Sequence, residues 1–129
     1  MYKAGIIDNV NQIKIKNKNL EGNKMAKVIN TAEFRDKVEN GSGVAVVDFF
    51  ATWCGPCKML APVFAEAGED MKEEANFYKL DIDESLEIAQ QFGVSSVPTM
   101  IVFKDGKPVD QIVGFMPKDR LIGKIKASL

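Results

Sequence analysis

From Met25 onward the apolar residues fall into short runs of two different periods, and the period switches back and forth along the chain. Val44 to Phe50 is a near-continuous β-branched and aromatic run, the pattern of a strand covered on both faces. Ala75 to Ile82 and Pro98 to Phe103 predict two more strands, and Ala26 to Ile29 a shorter one. Asp105-Gly106, just before a further strand at Val109 to Val113, is a two-residue hairpin signal. Between these runs the spacing is helical. Thr31 reads as the N-cap of a helix with Phe34 and Val38 on one face and Glu33 with Lys37 as an i,i+4 pair, ended by Asn40-Gly41-Ser42-Gly43. Met59, Leu60, Val63, Phe64, Ala67 and Met71 share one helix face, with a kink predicted at Pro62. Asp83 leads into a short helix carrying Leu86, Ala89 and Phe92, and Pro117 opens a last helix carrying Leu121, Ile122, Ile125 and Leu129. The methionines and phenylalanines are assigned to core packing. The order β-α-β-α-β-α-β-β-α predicts an α/β fold: a mixed sheet of central parallel strands and a C-terminal antiparallel hairpin, flanked by helices on both faces.

Residues 1–24 break this pattern. Asn and Lys dominate there, the apolar residues are isolated apart from a brief alternation at "QIKIK", and such a segment is expected to be disordered or non-native, with Met25 as the natural start. The predicted organisation is a 1–24 extension on a 25–129 domain. Five lysines against Asp8 and Glu21 give the extension +3, which leaves −4 for the remainder of a chain of net charge −1. No strong field recruits nucleic acid or an anionic membrane. No apolar run approaches the roughly 20 residues of a spanning helix, and the N-terminus lacks the pattern of a secretory signal, so the expected location is the cytoplasm. With 129 residues, 46% of them hydrophobic, the chain is long enough for one sizeable core.

The only two cysteines lie in "ATWCGPCKML", as Cys54 and Cys57. A structural zinc site needs four cysteine or histidine ligands, and a chain with two cysteines and no histidine cannot supply them alone. A structural staple is disfavoured in a reducing compartment. The strand, the Gly55-Pro56 turn and the following helix place Cys54 at a helix N-terminus, where unpaired amides and the macrodipole stabilise a thiolate. Cys57, about a turn further in and less accessible, suits a resolving role. Asp48 interrupts the Val44 to Phe50 run. If it is buried, desolvation raises its pKa; the other reading is a strand-end acid that reaches solvent. By pattern alone, Lys79 is a solvent-facing strand lysine.

"VVDFFATWCGPCKMLAP", followed by Val97-Pro98-Thr99, the "KDGK" hairpin from Lys104 to Lys107 and Val113-Gly114-Phe115, closely resembles the thioredoxin family over residues 25 to 129. The resemblance implies the thioredoxin fold and a protein dithiol-disulfide oxidoreductase. Its redox group would be a Cys54–Cys57 disulfide with no bound cofactor, Cys54 attacking a substrate disulfide and Cys57 resolving the mixed disulfide. It further implies that Asp48 transfers a proton to or from Cys57 and that Lys79 neighbours and modulates Asp48. Pro98 matches the family's cis-proline, and Val97 would pair its backbone with an extended substrate segment. Trp53, Gly55, Pro56, Val97, Pro98, Gly114 and Phe115 would form the substrate surface. The implied partners are disulfide-containing proteins and a thioredoxin reductase acting on a monomer, the reductase expected to be an NADPH-dependent flavoenzyme, with ferredoxin-linked recycling as the open alternative. The chain departs from many members in having Phe50 where they carry a second tryptophan. The alternative is a binding module on the same scaffold, indifferent to the cysteines, which Cys54→Ser and Cys57→Ser would separate from a reductase.

Overall fold

A computed structural model describes residues 26–129; the expectations for residues 1–24 and for Met25 as the start lie outside them. Among the described residues five strands and four helices follow one another as β1 (Ala26–Val28), α1 (Thr31–Phe34) running on as a π-helical segment (Arg35–Glu39), β2 (Val44–Phe50), α2 (Gly55–Asp70), β3 (Asn76–Asp81), α3 (Leu86–Gln91), β4 (Thr99–Lys104), β5 (Lys107–Val113) and α4 (Lys118–Lys126). The sheet order is β1-β3-β2-β4-β5, with β1, β3 and β2 parallel and β4 and β5 antiparallel additions. β2 lies at the centre, which is why its sequence is apolar almost throughout.

Alternation along β2 divides the interior into two layers. Val46 packs with Leu60, Phe64 and Ala67 of α2 and with Leu121 and Ile125 of α4. Ala45, Val47 and Phe49 face the other way, towards Phe34, Val38, Ile88 and Phe103. In that second layer Phe34, Phe92 and Phe103 meet edge to face, with ring centroids 5.3–5.7 Å apart.

Several local expectations change. The N-cap of α1 is Asn30, not Thr31: its side chain accepts from the Glu33 amide at 2.8 Å while Glu33 accepts from the Asn30 amide at 3.0 Å, a reciprocal capping box. Glu33, held there and 3.4 Å from Lys27, is turned away from a pairing with Lys37; the i,i+4 pair that forms is Arg35 with Glu39, at 3.1 Å. Met59 is 62% exposed, because the buried stripe of α2 runs through Cys57, Leu60, Phe64 and Ala67 and leaves Met59 beside it. Leu86 is exposed for a similar reason, Ile88 and Ala89 being the residues α3 buries. Leu129 lies beyond the end of α4 and is exposed. The hairpin falls at Asp105-Gly106, both with positive φ, but β5 begins at Lys107, so Pro108 sits inside this edge strand, opposite Phe103 and next to a register shift.

Candidate active site

The C-terminal end of β2 delivers the chain to Cys54, and α2 starts one residue later. Cys54 is the N-cap of α2: its backbone is extended, and its Sγ accepts from the Cys57 amide at 3.1 Å. Pro56 costs nothing in the first turn, since its missing N–H would have no intrahelical acceptor. α2 has no acidic residue in its first turn, so the sulfur of Cys54 meets the positive end of the helix without competition. Cys54 and Cys57 form a disulfide, with Cα atoms 5.3 Å apart. At 5% and 4% exposure the two are equally covered in this oxidised state, so the expected difference in access is not seen.

The cysteines and Ala51 form a small apolar cluster with Phe50, Ile82 and Val97 around it. Val97 comes from the loop before β4, across a cis Val97-Pro98 bond, and its carbonyl oxygen stands 3.6 Å from Cys54 Sγ. Pro98 is buried, and its carbonyl accepts from the Gly114 amide at 2.8 Å; Gly114, at φ 94°, turns the chain out of β5. Trp53, 68% exposed, donates its indole N–H to Asp83 at 2.9 Å. Gly55, Pro56 and Phe115 are exposed. The structure therefore brings Val97 against the cysteine pair and ties Pro98 to Gly114, while Trp53 is linked to a residue that sequence reasoning did not select. Asp83 lies thirty positions away in the chain, in an acidic segment at the C-terminal end of β3. Its only signal was that position, at the strand ends where α/β sheets place their sites.

Asp48 is fully buried, and neither carboxylate oxygen has a hydrogen-bond partner among the described residues. It points to the α2 side of the sheet, two residues beyond Val46 on the same face. Burial pushes its pKa up to about 7, opposed by the charge of Lys79. Lys79 is the register partner of Asp48 on β3 and is half-buried, so the reading of a simple solvent-facing lysine is too plain. Its Nζ stands 4.7 Å from the centre of the Phe50 ring. Phe50, Ala51, Thr52, Cys57, Lys58, Ala61 and Lys79 line a cleft of about 300 Å³, an open path to the Cys57 side of the disulfide. Among the described residues no three His, Cys, Asp or Glu side chains are grouped to hold a metal ion, and no helix is long and apolar enough to cross a membrane.

The site can accept two electrons by making and breaking one sulfur–sulfur bond. The profile of the Thioredoxin family matches residues 25–127. The thioredoxins of Staphylococcus aureus strains MW2 and COL are each 55% identical over 93 residues, 72% of this chain and 88% of theirs. The crystal structure of Malassezia sympodialis thioredoxin (Mala s 13), described as a member of a new pan-allergen family, aligns with a TM-score of 0.72 and 39% identity over 80% of this chain and 90% of that one. The chain belongs to the thioredoxin family, and it is a protein-disulfide reductase that works by thiol-disulfide exchange, with its own cysteine pair as the redox group and a thioredoxin reductase to recycle it.

Proposed function

We propose that Cys54 is the nucleophile and Cys57 the resolving thiol of the 25–129 domain. The observation that carries this reading is the placement of Cys54 Sγ at the start of α2, accepting the Cys57 amide hydrogen bond, where a thiolate is stabilised. The Cys54 thiolate attacks one sulfur of a substrate disulfide; that bond breaks, a mixed disulfide forms, and the first substrate thiolate leaves. Cys57 then gives its proton to Asp48, directly or through water from the adjoining cleft, and attacks Cys54. The second substrate thiolate departs as the Cys54–Cys57 bond closes. Two electrons have passed to the substrate; its two thiolates take up protons from solvent, and Asp48 returns the Cys57 proton there.

Trp53, Gly55, Pro56, Val97, Pro98 and Gly114 form the substrate-binding surface, with the Val97 carbonyl beside Cys54 marking where an extended segment pairs. Lys79 restrains the rise of the Asp48 pKa. The protein works as a monomer in the cytoplasm and is re-reduced by an NADPH-dependent flavin reductase. A monomer is favoured by the guarded sheet edges: β1 has three residues, and β5 carries Pro108 beside an irregular register.

Cys57→Ser should trap a mixed disulfide with a protein substrate, whereas Cys54→Ser should trap none. Trapping through Cys57 would reverse the roles. Release from the mixed disulfide should accelerate with pH through about 7, an acceleration that Asp48→Ala abolishes and Lys79→Met moves to higher pH. A single sedimenting species of monomer mass, and NADPH consumption on addition of a flavin-dependent thioredoxin reductase with insulin, would bear out the remaining claims.

A further inference from the structure

Trp53 is the sole tryptophan, and it stands largely exposed on the turn between β2 and the cysteines. An indole so placed would ordinarily sample several rotamers. Here its Nε1–H meets the Asp83 carboxylate at 2.9 Å. The backbone that carries this exposed acceptor is held: the Asp83 amide donates to Asp81 Oδ1 at 2.9 Å, and the Ser85 amide donates to the Asp81 carbonyl at 2.9 Å. The Ile82 amide donates to the Phe50 carbonyl at 2.9 Å, so the loop after β3 is fastened to the end of β2. Between these contacts Ile82 packs on the cysteine cluster. One hydrogen bond thus ties the indole to the segment that backs the disulfide.

We infer that Asp83 is a positioning residue which locks the Trp53 indole as a pre-set wall of the substrate surface and thereby favours protein disulfides over small ones. The inference rests on the functional reading above. A protein substrate lies across the indole, and an aromatic wall ordered before encounter spares it the entropy of being ordered on binding. A small disulfide reaches the sulfur with little indole contact and gains less.

The sole tryptophan gives a direct readout. Time-resolved fluorescence anisotropy of the oxidised protein should show added fast indole motion in Asp83→Ala, largely suppressed again in Asp83→Asn, which retains an acceptor oxygen. The ratio of kcat/KM for insulin to that for bis(hydroxyethyl) disulfide should fall about three- to tenfold in Asp83→Ala, mainly through KM for insulin. In a Trp53→Phe background, Asp83→Ala should lower that ratio no further. Unchanged anisotropy in Asp83→Ala would overturn the clamp. An equal loss on both substrates, or a full loss persisting without Trp53, would overturn its role in specificity. Failure of the wild-type protein to reduce insulin would instead sink the functional reading, and with it the specificity claim.

Discussion

Among the described residues Asp48 has no hydrogen-bond partner for either oxygen, and its ionisation is set by a contest between burial and the Lys79 ammonium. Burial wins. Because the folded pKa, about 7, exceeds the ordinary carboxyl value, folding favours the protonated acid. Below a pH of about 4 the group is protonated in both states and costs no stability. As pH climbs from there through about 7 the unfolded state releases its proton first, and the native state loses on the order of 4 kcal/mol. Asp48→Ala should remove that pH-dependent loss, so the variant's stability relative to wild type should be greater at pH 8 than at pH 5 in urea unfolding. Parallel curves would show that the acid is not desolvated. Glu33 and Glu39, held below the usual range by the Asn30 amide and by Gln91 respectively, slope the other way but do so in both proteins. The acid was legible from sequence as a charge inside an apolar strand run, but whether it was buried or reached solvent at the strand end was not; the central place of β2 in the sheet decides for burial. Lys79 was not legible by pattern, because facing Asp48 is a matter of strand register, and neither was Asp83, whose link to Trp53 exists only once two loops meet.

The strands and their hairpin were readable at the scale of elements because burial on both faces leaves so strong a mark in β2 and β4. Helix faces were read less well where a helix is short or lies near the site. Met59, apolar yet outside the buried stripe of α2, reads as a core residue because hydrophobicity alone does not give direction. The β4–β5 hairpin shows how one element seats another. Gly106 has φ 84°, and a Cβ there would collide with the backbone carbonyl of Glu39 at the end of the π-helical segment. Gly93 has a similar φ of 67° but open space around it. Gly93→Ala should therefore cost only the left-handed backbone penalty of about 1–2 kcal/mol, whereas Gly106→Ala should cost clearly more, because backbone must also move. Equal losses of denaturant stability at the two sites would show that the hairpin does not rest on the helix end.

Across the whole molecule, the two core layers share one sheet: β2 supplies Val46 to one and Val47 to the other. Neither layer can melt without stripping a face from the same central strand, so unfolding should be a single cooperative step. Phe34→Ala in one layer and Leu60→Ala in the other remove fully buried side chains and should each lower the same transition, by about 3–5 and 2–5 kcal/mol respectively. Two separable transitions, in fluorescence and in circular dichroism, would show that the layers fold independently. The start of α2 links this fold to its chemistry, because the atom that caps the helix is also the atom that reacts. Each change in the bonding of Cys54 alters what the Cys57 amide donates to: a thiolate, a mixed disulfide or the closed pair. Amide hydrogen exchange at this one position should therefore follow the catalytic cycle, so the backbone at the head of α2 reports the state of its own cap.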